Sequence, residues 1–207
     1  MIAVAIFIYG FIIWTGYTSL VKWNSPIEDY TFVGLKNWIN LFQMDRFHWD
    51  VRNLLLYAAG FMSQCILIGF LIAVLLDQKI KGETFFRTVV VLPFAVSGIV
   101  TGVAWRWLFQ PTTGVNLLLK AVGIHTTFAW NTDPKVGILA CSLAAAWQFT
   151  GYVMSLYLAS LRGISEEVRE AARVDGATNW QLYRHIIIPL VMPTTFTAFV
   201  LTGMGSI

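Results

Sequence analysis

Long apolar runs alternate with short polar segments along the whole chain. Five runs contain no charged residue: Met1–Val21, Leu54–Leu76, Thr88–Trp105, Val136–Leu158 and Ile186–Ile207. About 20 residues, rising about 1.5 Å each, cross the roughly 30 Å of hydrocarbon in a bilayer, so each run can span it. Water is absent there, and a helix satisfies all of its own N–H and C=O groups within one segment. The pattern therefore predicts an all-α integral membrane protein, a polytopic bundle of five transmembrane helices in a single domain over residues 1–207. Pro93, Gly98 and Gly102 interrupt the third run, and Pro189 and Pro193 the fifth. Such positions predict kinks that neighbouring helices tolerate. The first run has no basic segment before it and is too long for a secretory leader, so it reads as a first membrane helix.

Composition agrees: 57% of residues are hydrophobic, 12% are charged and the mean hydropathy is +0.67. Those values exclude an average soluble domain. Cys65 and Cys141 fall inside runs and read as small buried hydrophobes. His48, His125 and His185 are too far apart for a local metal motif, so no metal site is expected. A net charge of +3 fits basic loops of a membrane protein and gives no nucleic-acid footprint. Charge does not orient the chain. Lys79, Lys81, Arg87, Arg162, Arg169, Arg173 and Arg184 on one side are matched in number by Lys22, Lys36, Arg46, Arg52, Arg106, Lys120 and Lys135 on the other.

The polar segment 159–185 reads as helix, tight turn, helix. Ser165 stands as N-cap, with Glu166 and Glu167 in the first turn where the helix dipole favours negative charge. Glu166 with Arg169, and Glu170 with Arg173, have i,i+3 spacing and are expected to pair. Asp175-Gly176 is a stop signal, and Thr178-x-x-Gln181 matches a capping box that starts a second helix running into the fifth span. Ala171 and Ala172 would present a nearly bare face to another protein. Two other readings are a solvated connector and a DNA-binding helix-turn-helix, whose spacing Ala172, Gly176 and Leu182 share. The second fails because Glu166, Glu167, Glu170 and Asp175 match the cations of the segment and both ends run into membrane.

The order Glu170-Ala171-Ala172, three residues, Gly176, nine residues, Ile186-x-Ile188-Pro189 resembles the EAA loop of ABC transporter permeases served by a solute-binding protein. Phe32-Val33-Gly34-Leu35-Lys36-Asn37-Trp38, followed by Leu41-Phe42 and Asn53, is similar to the first external segment of the sugar-type permeases. Phe86-Arg87-Thr88, Leu92-Pro93, Trp105 to Phe109, Gly114 and Asn116 resemble their third span and its exit loop. Trp147-Gln148 and Ala159-Ser160-Leu161 fit the same family, within it the maltose and glycerol-phosphate class. Ser165 departs from the proline that many relatives carry, and Ile188 from their leucine.

The resemblance implies a permease subunit of an ATP-driven importer in the bacterial or archaeal cytoplasmic (inner) membrane. It would carry a sugar, a related polyol or glycerol phosphate delivered by an extracytoplasmic solute-binding protein. Implied partners are a second permease chain, giving a heterodimer, and ATP-binding subunits docking through Glu170, Ala171, Ala172, Arg173 and Gly176. Residues 159–185 would face the cytoplasm and Lys22–Asn53 the outside. Both ends stop abruptly in apolar runs, so a longer protein is expected, and the resemblance implies a sixth span beyond Ile207.

Absences sharpen the expectation. With no G-x-x-x-x-G-K-[ST] loop, the chain has no recognisable ATP site, so ATP and magnesium would belong to the partner ATPase and no cofactor to this chain. No Asp, Glu, Lys or Arg lies in a run, which disfavours the alternative of a secondary, ion-coupled transporter. Neither G-x-S-x-G nor H-E-x-x-H occurs, so no catalytic residue is proposed for a membrane enzyme. A polyol path would need neutral hydrogen-bonding groups, for which the candidates are Gln64, Ser97, Thr101, Gln148, Thr150 and Tyr152. Ser and Thr in membrane helices more often serve packing. Gln148, a buried amide beside Trp147, is the strongest of the set. Trp105, Trp107 and Trp130 read as interface anchors.

Overall fold

The computed structural model describes residues 2–206 apart from 24, 79, 127, 131, 134 and 135. The expected span ends at Met1 and Ile207, and Lys79 and Lys135 of the charge comparison, lie outside the described residues. Helices dominate, and among the described residues no strand forms beyond an isolated bridge between Val21 and Phe32. The chain divides into two compact units, Met1–Asn53 and Leu54–Ile207.

The first unit holds α1 (Ile2–Ser19), α2 (Lys36–Gln43) and the start of α3 (Asp45–Asp77). The last carbonyls of a helix lack partners within it. Here the segment after α1 supplies them: Asn37 Nδ2 donates to the carbonyls of Ser19 (3.0 Å) and Val21 (2.9 Å), and the Val33 N–H to that of Leu20 (2.9 Å). Trp38 Nε1 adds a bond to Ser19 Oγ at 3.2 Å. The Phe32–Trp38 block singled out in the sequence thus closes the C-terminus of α1. In the preceding loop, bonds from the Thr31 hydroxyl and N–H hold the Asp29 carboxyl below its usual range.

In the second unit α7 (Gly137–Arg162) is the hub, packed against α4 (Glu83–Val91), α5 (Gly98–Leu108) and α10 (Ile188–Gly205). It also lies along α3. Phe61, Cys65, Gly69, Ala73 and Leu76 form one buried stripe of α3 at spacings of four and three, the period of a single helix face. The Cβ position of Gly69 faces Val153 and Met154 of α7 at about 3 Å, so only small residues let the backbones come this close. Gly151 is tighter still, since a Cβ there would overlap the Val90 carbonyl and Val91 Cα of α4. Polar ties join α7 to α10: the Tyr157 hydroxyl donates to Thr195 Oγ1 at 3.0 Å and Thr194 Oγ1 to Ser160 Oγ at 2.9 Å.

Three described helices are long and apolar enough to cross a membrane: Asp45–Asp77, Gly137–Arg162 and Asn179–Gly205. The last runs unbroken through α9 (Asn179–Leu182), a π-helical turn at Tyr183–Ile187 and α10. The π turn precedes Pro189, whose missing N–H disrupts a regular ladder. These match the second, fourth and fifth expected spans, with α3 starting earlier than Leu54. One expectation changes. The described apolar part of α1, Val4–Ser19, is shorter than these three. The third run is no kinked helix: α4 passes into a 3₁₀ turn (Leu92–Ala95), Val96 and Ser97 are extended, and α5 leaves at 101° to the first half. Pro93 begins the disruption by withholding a donor.

The broken pair lies along α7. Arg162 at the end of α7 meets Glu83 at the start of α4 at 2.7 Å. The chain from Glu83 must then return over the whole of α7, whose 26 residues extend about 39 Å, before Gly137 begins it. α6 (Gly114–Ala121) lies in the loop at the far end. That loop turns on buried Asn116, which donates to the carbonyls of Pro111 (2.9 Å) and Phe128 (2.8 Å) and accepts from Trp130 Nε1 (2.8 Å). Trp130 is thereby a loop tie, and Trp105 packs on Phe109 and Trp147, whereas Trp107 stays exposed.

The close crossing at Gly151 is testable. Gly151→Val should cost about 1–3 kcal/mol through overpacking and lower the thermal midpoint in detergent. Gly102→Ala, at a glycine with nothing near its Cβ position, should not. Equal midpoints for the two variants would contradict the α4–α7 approach.

Candidate functional site

The most structured polar surface is the segment between α7 and α10. α8 spans Glu166–Val174, with Ser165 at the N-cap position in extended conformation. The Ser165 side chain makes no capping bond, so its role there is conformational. At the other end the Ala177 N–H reaches the Ala172 carbonyl (2.9 Å) and the Gly176 N–H the Arg173 carbonyl (3.0 Å). This paired closure is a Schellman motif, and it requires the left-handed residue that Gly176 supplies at φ 81°. The expected capping box is present: the Thr178 N–H donates to Gln181 Oε1 at 2.8 Å and the Gln181 N–H to Thr178 Oγ1 at 3.3 Å. Helix, turn and helix are therefore held by backbone geometry at every junction.

The charge pairs differ from the local expectation. Arg173 lies 3.8 Å from Glu166, not from Glu170. Arg169 turns inward to Asp77 at the end of α3, 2.7 Å away, and its second terminal nitrogen donates to the Leu161 carbonyl at 2.8 Å. The Arg169 and Asp77 side chains are only 13% and 7% exposed, against 41% and 22% for Arg162 and Glu83. Loss of one partner from a buried pair costs about 3–5 kcal/mol, whereas an exposed pair contributes little. No local spacing could reveal this contact, which joins positions 92 apart in sequence.

α8 thus has two faces. Ala172 is buried with Leu161 and Leu182 in the core, which corrects the expectation of a bare Ala171-Ala172 surface: packing, not contact with another protein, requires the small residue at 172. Glu167, Glu170, Ala171 and Val174 fall at i, i+3, i+4 and i+7 and are all exposed, Val174 at 87%. Neither acid enters an ion pair among the described residues. Exposed Trp180 follows just beyond the turn.

The neutral candidates do not converge on one spot. Gln148 Nε2 donates to the Val96 carbonyl at 2.6 Å, satisfying an acceptor that the helix break exposes. With Thr101, Gly98 and Trp105 it lines a groove of about 360 Å³ between α5 and α7. Thr101 Oγ1 is buried there without a hydrogen-bond partner among the described residues. Ser97 precedes α5 and is exposed. Tyr152 stacks on Phe94 at 5.0 Å. Thr150 bonds back to the Ala146 carbonyl of its own helix at 2.6 Å, and Gln64 Nε2 donates to Gly60 O and Ser142 Oγ, both at 2.9 Å. Those last two are packing groups.

Residues 65–207 match the family model described as binding-protein-dependent transport system inner membrane component. The chain belongs to that family. It is a multi-pass membrane permease subunit of an ABC importer, and not itself an enzyme. Along its whole length the permease is 41% identical to a probable ABC transporter permease protein of Pyrococcus horikoshii, covering 72% of that relative. It is 33% identical to a xylose/arabinose import permease of Haloferax volcanii, over 96% of this chain and 63% of the relative. In fold it is similar to a chain of a bacterial ABC transporter involved in import of the acidic polysaccharide alginate. That likeness has a TM-score of 0.80 at 24% identity, covering 97% of the permease and 68% of the other chain.

The turn after α8 gives a direct check. Among the described residues, no heavy atom beyond the two chain neighbours of Gly176 lies within 4 Å of its Cβ position, so Gly176→Ala should cost about 1 kcal/mol through its left-handed backbone alone. Amide hydrogen exchange at residues 174–178 should quicken while the protein remains folded. Unchanged exchange would show that the closure does not depend on this glycine.

Proposed function

We propose that this permease forms part of a sugar importer, with α8 as the docking element for an ATPase. The observation that carries the proposal is the division of α8: its back is locked into the core while acidic and small residues stand free on its front. Glu170 and Ala171 then make the contact, Gly176 and Ala172 shape it, and Arg173 lies at its edge. Short amphipathic helices with small residues fit grooves on partner proteins. The ATPase would hold the ATP and magnesium, a second permease chain would complete a heterodimer, and an external solute-binding protein would deliver the solute. Relatives named for xylose, arabinose, trehalose and maltose favour a sugar.

In this reading α1, α3, the broken α4–α5 pair, α7 and α9–α10 make five crossings in a bacterial or archaeal inner membrane, with a sixth beyond Ile207. Residues 159–185 and 77–87 face the cytoplasm. ATP binding displaces α8, and the ATPase must prefer one permease conformation over the other for that motion to drive transport. Gln148, Thr101, Ser97 and Tyr152 line the path near the break in the third span. Gln64 and Thr150 contribute through packing.

Uptake by the reconstituted transporter, with ATP on the α8 side, should require the binding protein and ignore an uncoupler. Transport driven by a proton gradient without ATP would instead mark a secondary carrier. Thr101→Val offers a cleaner test of the path than Gln148→Leu, because the Thr101 hydroxyl has no hydrogen-bond partner among the described residues while Gln148 holds the break. Loss of a hydroxyl contact worth about 1 kcal/mol should raise the apparent KM roughly fivefold. An unchanged KM would remove Thr101 from the path.

A further inference from the structure

The Arg169 guanidinium sits where four helices meet. It belongs to α8, pairs with Asp77 at the last residue of α3, donates to the Leu161 carbonyl near the end of α7, and lies beside Tyr183 at the start of the π turn leading into α10. Few other polar contacts tie α8 to distant parts of the chain. The Arg173–Glu166 contact stays within α8, and Arg162–Glu83 joins α7 to α4 without touching it. Ala172 gives α8 an apolar footing, but a single methyl group constrains sliding poorly. A charged pair at 2.7 Å, both members largely buried, resists both separation and sliding.

We propose that the Asp77–Arg169 pair is the mechanical link through which displacement of α8 reaches α3 and α7. Arg169 is a positioning residue in this role: it points away from the exposed Glu170 face and stays within the chain. The proposal rests on α8 being the ATPase contact. Without the pair, α8 would still present its outer face, and the ATPase would still bind and hydrolyse ATP. Movement of α8 would then be taken up locally by the Gly176 turn and would not reach the spans.

The test uses the complete transporter with its binding protein in vesicles, measuring solute taken up per ATP hydrolysed together with ATPase co-purification. Asp77→Asn and Arg169→Gln should keep the ATPase bound and hydrolysing but reduce the ratio about tenfold, within the usual range of coupling energies. The exchange Asp77→Arg with Arg169→Asp should recover much of it. Glu83→Gln, which breaks the more exposed pair, should leave the ratio near that of the unaltered protein. A normal ratio in both single variants would overturn the proposal. So would equal loss of co-purification and uptake in the single variants without recovery in the exchange, which would mark a purely structural pair. If the unaltered transporter binds no ATPase or runs without ATP, it is the docking reading that fails.

Discussion

A polar group inside hydrocarbon has no water to turn to, and the architecture of the second unit follows from meeting that demand. Where α4 gives way to α5, Val96 exposes a carbonyl, and Gln148 reaches across from α7 to occupy it. Where helices cross, hydroxyls either bond back to their own helix, as Thr150 does, or bridge to a neighbour, as Tyr157 does to Thr195. At the far end Asn116 gathers a loop by using both its amide and its oxygen. The break is stable because its partner lies one helix away.

The same demand, at the polar end of the helices, makes the segment between α7 and α10 more than a connector. A guanidinium that is largely buried must find an acceptor, and Arg169 finds a carboxylate on one helix and a carbonyl on another. α8 is consequently part of the packed body, and its outer acidic face is presented from a rigid base. For the coupling role proposed for α8 rigidity matters, since displacement of a loosely tethered helix would be absorbed before it reached the rest of the chain.

The family pattern Glu-Ala-Ala with its following glycine thereby divides into residues with different physical duties. Ala172 is small because the core requires it, and Gly176 is glycine because the backbone there is left-handed. Glu170 and Ala171 are exposed, and among the described residues Glu170 enters no ion pair. They are the positions at which a partner's requirements can be expressed. Similarly, the block around Asn37 has a local duty in closing the end of α1, whatever else its relatives use it for.

Membrane class, helix content and the helix–turn–helix between α7 and α10 were legible from the sequence because they depend on local properties. Apolar run length decides spanning, a glycine after a charged helix decides its stop, and Thr178 with Gln181 decides the restart. Other features needed tertiary structure. Pro93 announces a disturbance, but whether it kinks or breaks the span depends on a partner for the freed carbonyl, and Gln148 is 52 residues away. Spacing made Arg169 a surface partner of Glu166, yet burial between α3 and α7 made Asp77 the stronger claimant. Spacing likewise put Ala171 and Ala172 on a common surface, whereas consecutive residues of a helix point about 100° apart and only packing tells which faces inward. Local rules describe what each segment can do alone; the choice among partners belongs to groups brought together from distant parts of the chain.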